Sequence, residues 1–194
     1  MKGENKLSLE SAIFIAALNG DHLVPQMTAS SRYKQWSSIQ DLKRCIVCAS
    51  YHGKSWLIAE VPEIEPPVHP NCRCMIELMK AISAGTATIN GLNGADWALK
   101  YEGKLPDYYI LESDLKALGW KRGKWPSNFA SGKMFQGDLY KNSNNHLPNE
   151  NNRVWHEADI NYKSGKRNSQ RIVWSNDGLI FVTYDHYATF YEIV

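Results

Sequence analysis

The chain has 194 residues, with 22 Lys and Arg against 20 Asp and Glu and a hydrophobic content of 43%. That length allows one domain or two small ones, and that composition excludes a wholly disordered polypeptide. A net charge of +2 marks neither a nucleic-acid binder nor a membrane binder, and no run reaches the roughly 18 apolar residues of a membrane-spanning helix.

In chain order, the first predicted element is a helix. Leu9, Ile13, Ala16 and Ala17 form an apolar stripe at i, i+4, i+7 and i+8, Ser8 can cap its start, and Asn19-Gly20 supplies a left-handed stop. Glu4 and Glu10 and the lack of a small-residue cleavage site argue against an export signal peptide.

All four cysteines lie in the first half. Cys45 and Cys48 form a C-x-x-C pair, and Cys72 and Cys74 a C-x-C pair, with His52 and His69 nearby. Four thiolates, or three with His69 as the alternative ligand, would satisfy tetrahedral zinc; disulfides are the competing reading. Either would staple a small module. Pro66-Pro67-Val68-His69-Pro70 is stiff and extended, which fixes the approach of the second pair. Arg44-Cys45-Ile46-Val47-Cys48, His52-Gly53-Lys54 and His69-Pro70-Asn71-Cys72-Arg73-Cys74 resemble the phage head-morphogenesis (minor capsid) family over about residues 40–78. That resemblance implies a module associated with a virion or an effector.

Residues 81–91 are small and polar and read as a linker, which divides the chain into a helical, cysteine-rich module (1–80) and a second domain (92–194). In the second domain, Asn93 can cap a helix through Tyr101 that ends at Gly103, and Ser113 can cap a short helix through Leu118 stopped by Gly119. From Arg153 onward the residues turn β-branched and aromatic, in Val154-Trp155, Ile172-Val173-Trp174 and Leu179 to Tyr184, with Asp177-Gly178 as a hairpin turn. The expected class is α+β, an antiparallel sheet with the helices packed on one face.

Near the C-terminus stand Glu157, Arg167, Arg171 and His186. A carboxylate, two guanidiniums and an imidazole suit metal-free cleavage of an RNA phosphodiester. A base takes the 2′-hydroxyl proton, an acid protonates the departing 5′-oxygen, and cations hold the charged phosphorane. On composition alone a solvated strand surface is the favoured reading of these residues.

Ordered motifs decide between these readings. Lys104-Leu105-Pro106-Asp107, Ala117-Leu118-Gly119-Trp120, Gly137-Asp138, Leu147-Pro148, Glu157-Ala158-Asp159-Ile160-Asn161-Tyr162, Arg167-Asn168-Ser169, Arg171-Ile172 and Asp185-His186-Tyr187 resemble the barnase-like microbial ribonucleases across about residues 92–193. The resemblance implies helices packed on a five-stranded antiparallel sheet. It implies Glu157 as general base, His186 as general acid, Arg167 and Arg171 as phosphate-binding cations, and Tyr187 as a wall of the substrate pocket. It also implies a 2′,3′-cyclic phosphate product, no cofactor for the chemistry, RNA as partner, and a small acidic inhibitor of the barstar type.

Three positions depart from the family. Glu112 stands where the family has a lysine, which reverses a charge near an anionic substrate unless Lys141 or Lys166 moves in. The base-reading loop is Tyr140-Lys141-Asn142-Ser143-Asn144, with Asn144 in place of the guanine-accepting carboxylate. Lys166 replaces the aromatic before the first arginine. Tyr140, Lys141, Asn142 and Asn144 remain the candidate base contacts, and guanine selectivity should be relaxed.

The combined expectation is an endoribonuclease toxin or effector, delivered by a specialised route, through a phage particle or a toxin-delivery protein, to RNA in a target-cell cytoplasm. The alternative is a virion-associated structural or binding protein whose nuclease fold is inactive. Trp120, Trp155 and Trp174 are expected in the core, Phe181 and Tyr184 half-buried, and His156 on the surface. Asp138 is expected to anchor a basic residue, and the polarity of His146 fits a turn.

Overall fold

The computed structural model describes residues 29–162 and 164–194, so the helix expected over residues 9–18 lies outside the described residues. Nine strands form one sheet: β1 (Ala29–Ser37), β2 (Ser55–Leu57), β3 (Met75–Ile82), β4 (Tyr109–Leu111), β5 (Met134–Tyr140), β6 (Trp155–Asp159), β7 (Arg171–Ser175), β8 (Ile180–Thr183) and β9 (Tyr191–Ile193). Their order is β2-β1-β3-β9-β8-β7-β6-β5-β4. Strands β5 to β9 are paired antiparallel throughout, giving the five-strand run that the resemblance implies. β3 adds to β9 in parallel, and β4 adds to β5 in parallel.

The described part of the first half is therefore mainly strand. Its single α-helix, α1 (Ile46–Tyr51), has six residues, so the helical character expected for this half is not borne out over 29–80. In β1, buried Ser31 and Tyr33 flank exposed Arg32, and a register shift between Ser30 and Lys34 precedes fully buried Trp36. Small polar residues at inward positions and a bulge conceal the alternation by which a half-buried strand is recognised.

Residues 81–91, read as a linker, are tied down. Ile82 and Ala87 enter the core, and fully buried Asp96 gathers the segment by accepting from Gly85 N (2.7 Å), Ala87 N (3.0 Å) and Thr88 Oγ1 (2.7 Å). Asp96 lies in the first turn of α2 (Ala95–Tyr101), where a carboxylate also complements the helix dipole. Asn93 lies in a short 3-10 turn, and Gly94, not Asn93, occupies the cap position of α2. Likewise Ser113 lies inside α3 (Glu112–Ala117), whose cap position is Leu111.

Strand alternation sorts the sheet into two faces. Ala158, Ile172, Ile180, Val182, Tyr191 and Ile193 pack with Ala95 and Leu99 of α2. The opposite face carries Trp155, Val173 and Phe181, which join Tyr33 and Met79 from the first half and Phe190 in a second core cluster. Glu157 and Asp159 lie on this second face, two and four residues beyond Trp155. Trp120 and Trp155 are buried and Trp174 is half-buried; Phe181 is fully buried and Tyr184 half-buried. Among the described residues no helix is long and apolar enough to cross a membrane.

Candidate active site

The antiparallel register of β6 and β7 sets Glu157 opposite Val173, and Asp159 opposite Arg171. Facing residues in such a pair project to the same side. The fully buried Asp159 carboxylate can therefore reach the Arg171 guanidinium, with Nε and Oδ1 3.0 Å apart. It also accepts from Arg167 Nε at 2.6 Å and from Arg167 Nη2 at 2.7 Å. Arg171 donates further to the Asn168 and Gln170 carbonyls, and Arg167 lies over the Phe135 ring at 4.1 Å. Burial disfavours the charged form of Arg167, and the Asp159 carboxylate more than offsets it, so the guanidinium pKa is raised. One carboxylate thus orients two cations.

Glu157 is half-buried, and its Oε2 accepts from the Tyr187 hydroxyl at 2.7 Å. Burial and the Glu157 carboxylate raise the Tyr187 pKa, which keeps this hydroxyl a donor. Gly137 makes room for Glu157: a Cβ there would sit 3.1 Å from Glu157 Oε1 and 3.2 Å from its Cγ. His186 is exposed in the loop after β8. It has a left-handed φ of +60°, and its backbone N–H donates to Ser169 O at 3.1 Å. An Asp185 carboxylate that accepts from Thr183 Oγ1, Ala188 N and Thr189 N ties the same loop together.

Glu157, Arg167, Arg171, His186 and Tyr187 line one open cleft of about 550 Å³. Arg122, Lys124, Trp125 and Lys166 line it as well. Glu112 borders it but does not act as a lone negative charge. Burial pushes its carboxyl up, yet Lys116 at 2.7 Å and Arg122 at 3.2 Å pull it below its ordinary value. Lys116 and Arg122 thus neutralise Glu112, and of the two lysines expected to compensate for it, Lys166 lines the cleft. Lys141 is exposed and does not line the cleft.

The candidate base-reading loop follows β5. Asn142 is buried at φ +45°; its side-chain amide donates to Leu147 O (2.8 Å) and Asn149 Oδ1 (2.9 Å), and its oxygen accepts from Leu147 N (3.0 Å). It serves as the clamp of the loop, with its side chain committed inward. Asn144 is exposed, and Tyr140 stacks on Tyr187 at 5.2 Å. Burial, aided by Glu157, pushes the Tyr140 hydroxyl up to about 12.

Asp138 and His156 differ from their expected roles. Asp138 is exposed and has no ion-pair partner among the described residues; Asp159 is the acid that anchors basic side chains. The signal was the β6–β7 register, which two strand segments do not reveal until they are aligned. His156 is half-buried and stacks on Trp174 at 5.5 Å.

The cysteines converge around α1 as free thiols. Cys45 occupies the N-cap of α1 and accepts from Cys48 N at 3.3 Å, the tight turn of a metal knuckle. His69 Nε2 is 3.3 Å from both Cys45 Sγ and Cys48 Sγ, and Cys48 Sγ is 3.9 Å from Cys72 Sγ. Cys74 completes a second overlapping triad with Cys48 and Cys72. Each triad holds its ligand atoms within 4.8 Å of one another, and Cys48 is common to both; a tetrahedral site with metal–sulfur bonds of about 2.3 Å needs separations of about 3.8 Å.

The family model described as ribonuclease matches residues 96–194. A ribonuclease of Bacillus pumilus is 43% identical over 129 residues, covering 66% of this chain and 78% of its own length. A ribonuclease of Heyndrickxia coagulans is 48% identical over 109 residues, 55% of this chain and 99% of that protein. A ribonuclease of Bacillus intermedius is also 48% identical over 109 residues, covering 67% of its own length.

Proposed function

Because this chain belongs to the ribonuclease family and is a ribonuclease, we propose that it cleaves RNA internally by transphosphorylation, without a metal. The convergence of Glu157, Arg167, Arg171, His186 and Tyr187 on one cleft carries this reading. Glu157 takes the proton of the 2′-hydroxyl, which attacks the adjacent phosphorus. Arg167 and Arg171, pre-oriented by Asp159, hold the charge that develops on the phosphorane oxygens. His186, exposed at the cleft, protonates the departing 5′-oxygen, leaving a 2′,3′-cyclic phosphate. Slow hydrolysis of that product follows with the two roles exchanged. Incubating the full chain with RNA and excess chelator tests the scheme: turnover should persist, and its loss would show that a metal takes part in the chemistry.

We assign the base side of the site to Tyr187 and the loop that carries Tyr140, Lys141, Asn142 and Asn144, where Asn142 contributes its backbone because its side chain clamps the loop. An amide at Asn144 offers one acceptor and one donor group where a carboxylate offers two acceptors, so guanine is read incompletely. Cleavage after guanine should be favoured only modestly over adenine in a matched oligonucleotide set, and Asn144→Glu should sharpen the preference. Strict guanine cleavage, unaltered by the substitution, would assign base reading to other groups.

Cys45, Cys48, Cys72 and Cys74 bind one zinc ion in a structural role, with His69 as the alternative fourth ligand. Protein purified under reducing conditions should carry about one zinc per chain, and chelation should loosen the backbone around Cys45 and Cys72. A zinc content near zero would exclude this role.

The biological reading is a toxin or effector. The cationic cleft suits a small acidic inhibitor of the barstar type as well as RNA, and the cysteine module, with its likeness to phage head-morphogenesis proteins, suits docking to a phage particle or delivery protein on the way to a target-cell cytoplasm. An inhibitor of that kind would bind the wild-type chain and lose affinity when Arg167 is neutralised.

A further inference from the structure

The turn between α1 and β2 lies against the base-reading loop. Two backbone hydrogen bonds at 2.9 Å, Gly53 N to Trp36 O and Trp36 N to Lys54 O, pin the turn to β1. Gly53 has a φ of +83°, and a Cβ there would meet His146 Nε2 at 2.8 Å. Both the backbone conformation and the close approach therefore call for glycine. Two residues on, buried Ser55 donates its hydroxyl to His146 O at 2.8 Å.

The His146 ring is enclosed between the halves. Gly53 approaches its Nε2 on one side, while Nδ1 lies 3.3 Å from Tyr187 O on the other, and its ring meets Phe190 edge-on at 6.4 Å. Tyr187 is the residue whose hydroxyl holds Glu157 and whose ring stacks on Tyr140. A continuous set of contacts thus runs from Gly53 and Ser55 through His146 to Tyr187 and the base.

The first half is fixed firmly enough to serve as an anchor. Buried Glu192 of β9 accepts from Ser31 Oγ (2.7 Å), Arg32 N (2.9 Å) and Arg32 Nε (2.8 Å). Tyr33 and Met79 share the core beneath the site face. Within the loop, by contrast, Ser143, Asn144 and Asn145 are exposed, and Asn145 has a φ of +55°. Asn142 ties the two ends of the loop together through Leu147, and His146, next to Leu147, is held in addition from the cysteine-bearing half.

We infer that the N-terminal half is a specificity element, in which Gly53 and Ser55 position His146 and so pre-organise the base-reading loop and Tyr187 for the nucleotide 5′ of the scissile phosphate. This rests on the base-side assignment proposed for residues 140–144. His146 is a positioning residue: it acts through Tyr187 and does not touch the reacting atoms. Pre-organising a loop lowers the ordering cost of binding, so its loss raises KM more than it lowers kcat.

The test compares full-length wild type with Ser55→Ala, Ser55→Thr and Gly53→Ala on a guanosine-containing dinucleotide, with amide exchange over residues 140–149 read in parallel. Ser55→Ala should raise KM roughly five- to tenfold, the order expected for one lost hydrogen bond, with kcat within about twofold. Exchange in the loop should quicken, and Ser55→Thr should restore both. Gly53→Ala should do the same more strongly. Unchanged KM and unchanged exchange in both Ala variants would overturn the inference. So would equal losses of kcat and melting temperature that Thr does not rescue. A wild-type chain that fails to cleave RNA would instead refute the proposed function, while the exchange measurement would still report on the contact itself.

Discussion

Replacing Glu157 with Gln or His186 with Gln should each lower RNA cleavage by about a hundredfold or more, since a positioned acid or base supplies roughly 10²–10⁴-fold. Glu157→Gln keeps an oxygen to accept from Tyr187 Oη, now 2.7 Å from Glu157 Oε2, and so removes the basicity while leaving the contact. His186 is exposed, and its backbone N–H, not its side chain, makes its hydrogen bond among the described residues, to Ser169 O. Its side chain can therefore be exchanged with little effect on packing. Both variants should melt within a few degrees of wild type. Losses of stability that parallel the losses of activity would mean that these residues hold the fold and do not act on the substrate.

Asp159→Ala should be costly in both respects. Its carboxylate is fully buried, and so is nearly all of the Arg171 side chain that it pairs with, while Arg167 is about one-third exposed. Removing one partner of a buried pair leaves an uncompensated charge, which costs about 3–5 kcal/mol. The two guanidiniums would also lose the common acceptor that aims them at the phosphate. Activity should thus fall along with the denaturation midpoint, with Arg167→Lys giving a milder loss because the bidentate geometry goes but the charge stays. An Asp159→Ala chain that is as stable as wild type would show that the arginines hold their places without it. Asp159 is thus separable from Glu157 by experiment: the first variant loses stability and rate together, the second loses rate alone.

The residues proposed to do the chemistry are legible in the sequence because each sits in a short motif whose spacing survives. Glu157 is found in the E-A-D-I-N-Y run, His186 and Tyr187 in D-H-Y, and Arg167 and Arg171 four residues apart. Strands β6, β7 and β8 were legible for a different reason, since their β-branched and aromatic runs are punctuated by the Asp177-Gly178 turn. What could not be read depends on partners distant in sequence. Asp159 was visible as a letter of the motif, but its role needs the register that sets it opposite Arg171. Asp138 was assigned the anchoring role because charge and proximity were the only criteria, and neither says which way a strand residue faces.

The first half was the harder to read. β3 finds its neighbour in β9 more than a hundred residues later, and Ser31 is inward because a buried Glu192 awaits it. Residues 81–91 look like a linker by composition, and their restraint comes from Asp96, whose side chain collects three donors from that stretch. Glu112 shows the same limit on a smaller scale. Its sign was plain from sequence, while the neutralising Arg122, ten residues on, required the fold.

The most direct test of the account is the identity of the ends left when the full-length chain cuts a defined oligoribonucleotide in excess chelator. Transphosphorylation by Glu157 and His186 predicts 2′,3′-cyclic phosphate on the upstream fragment and a free 5′-hydroxyl on the downstream one at early times, with linear 3′-phosphate accumulating later. A 5′-phosphate with a 3′-hydroxyl, or cleavage that stops when metals are removed, would contradict it.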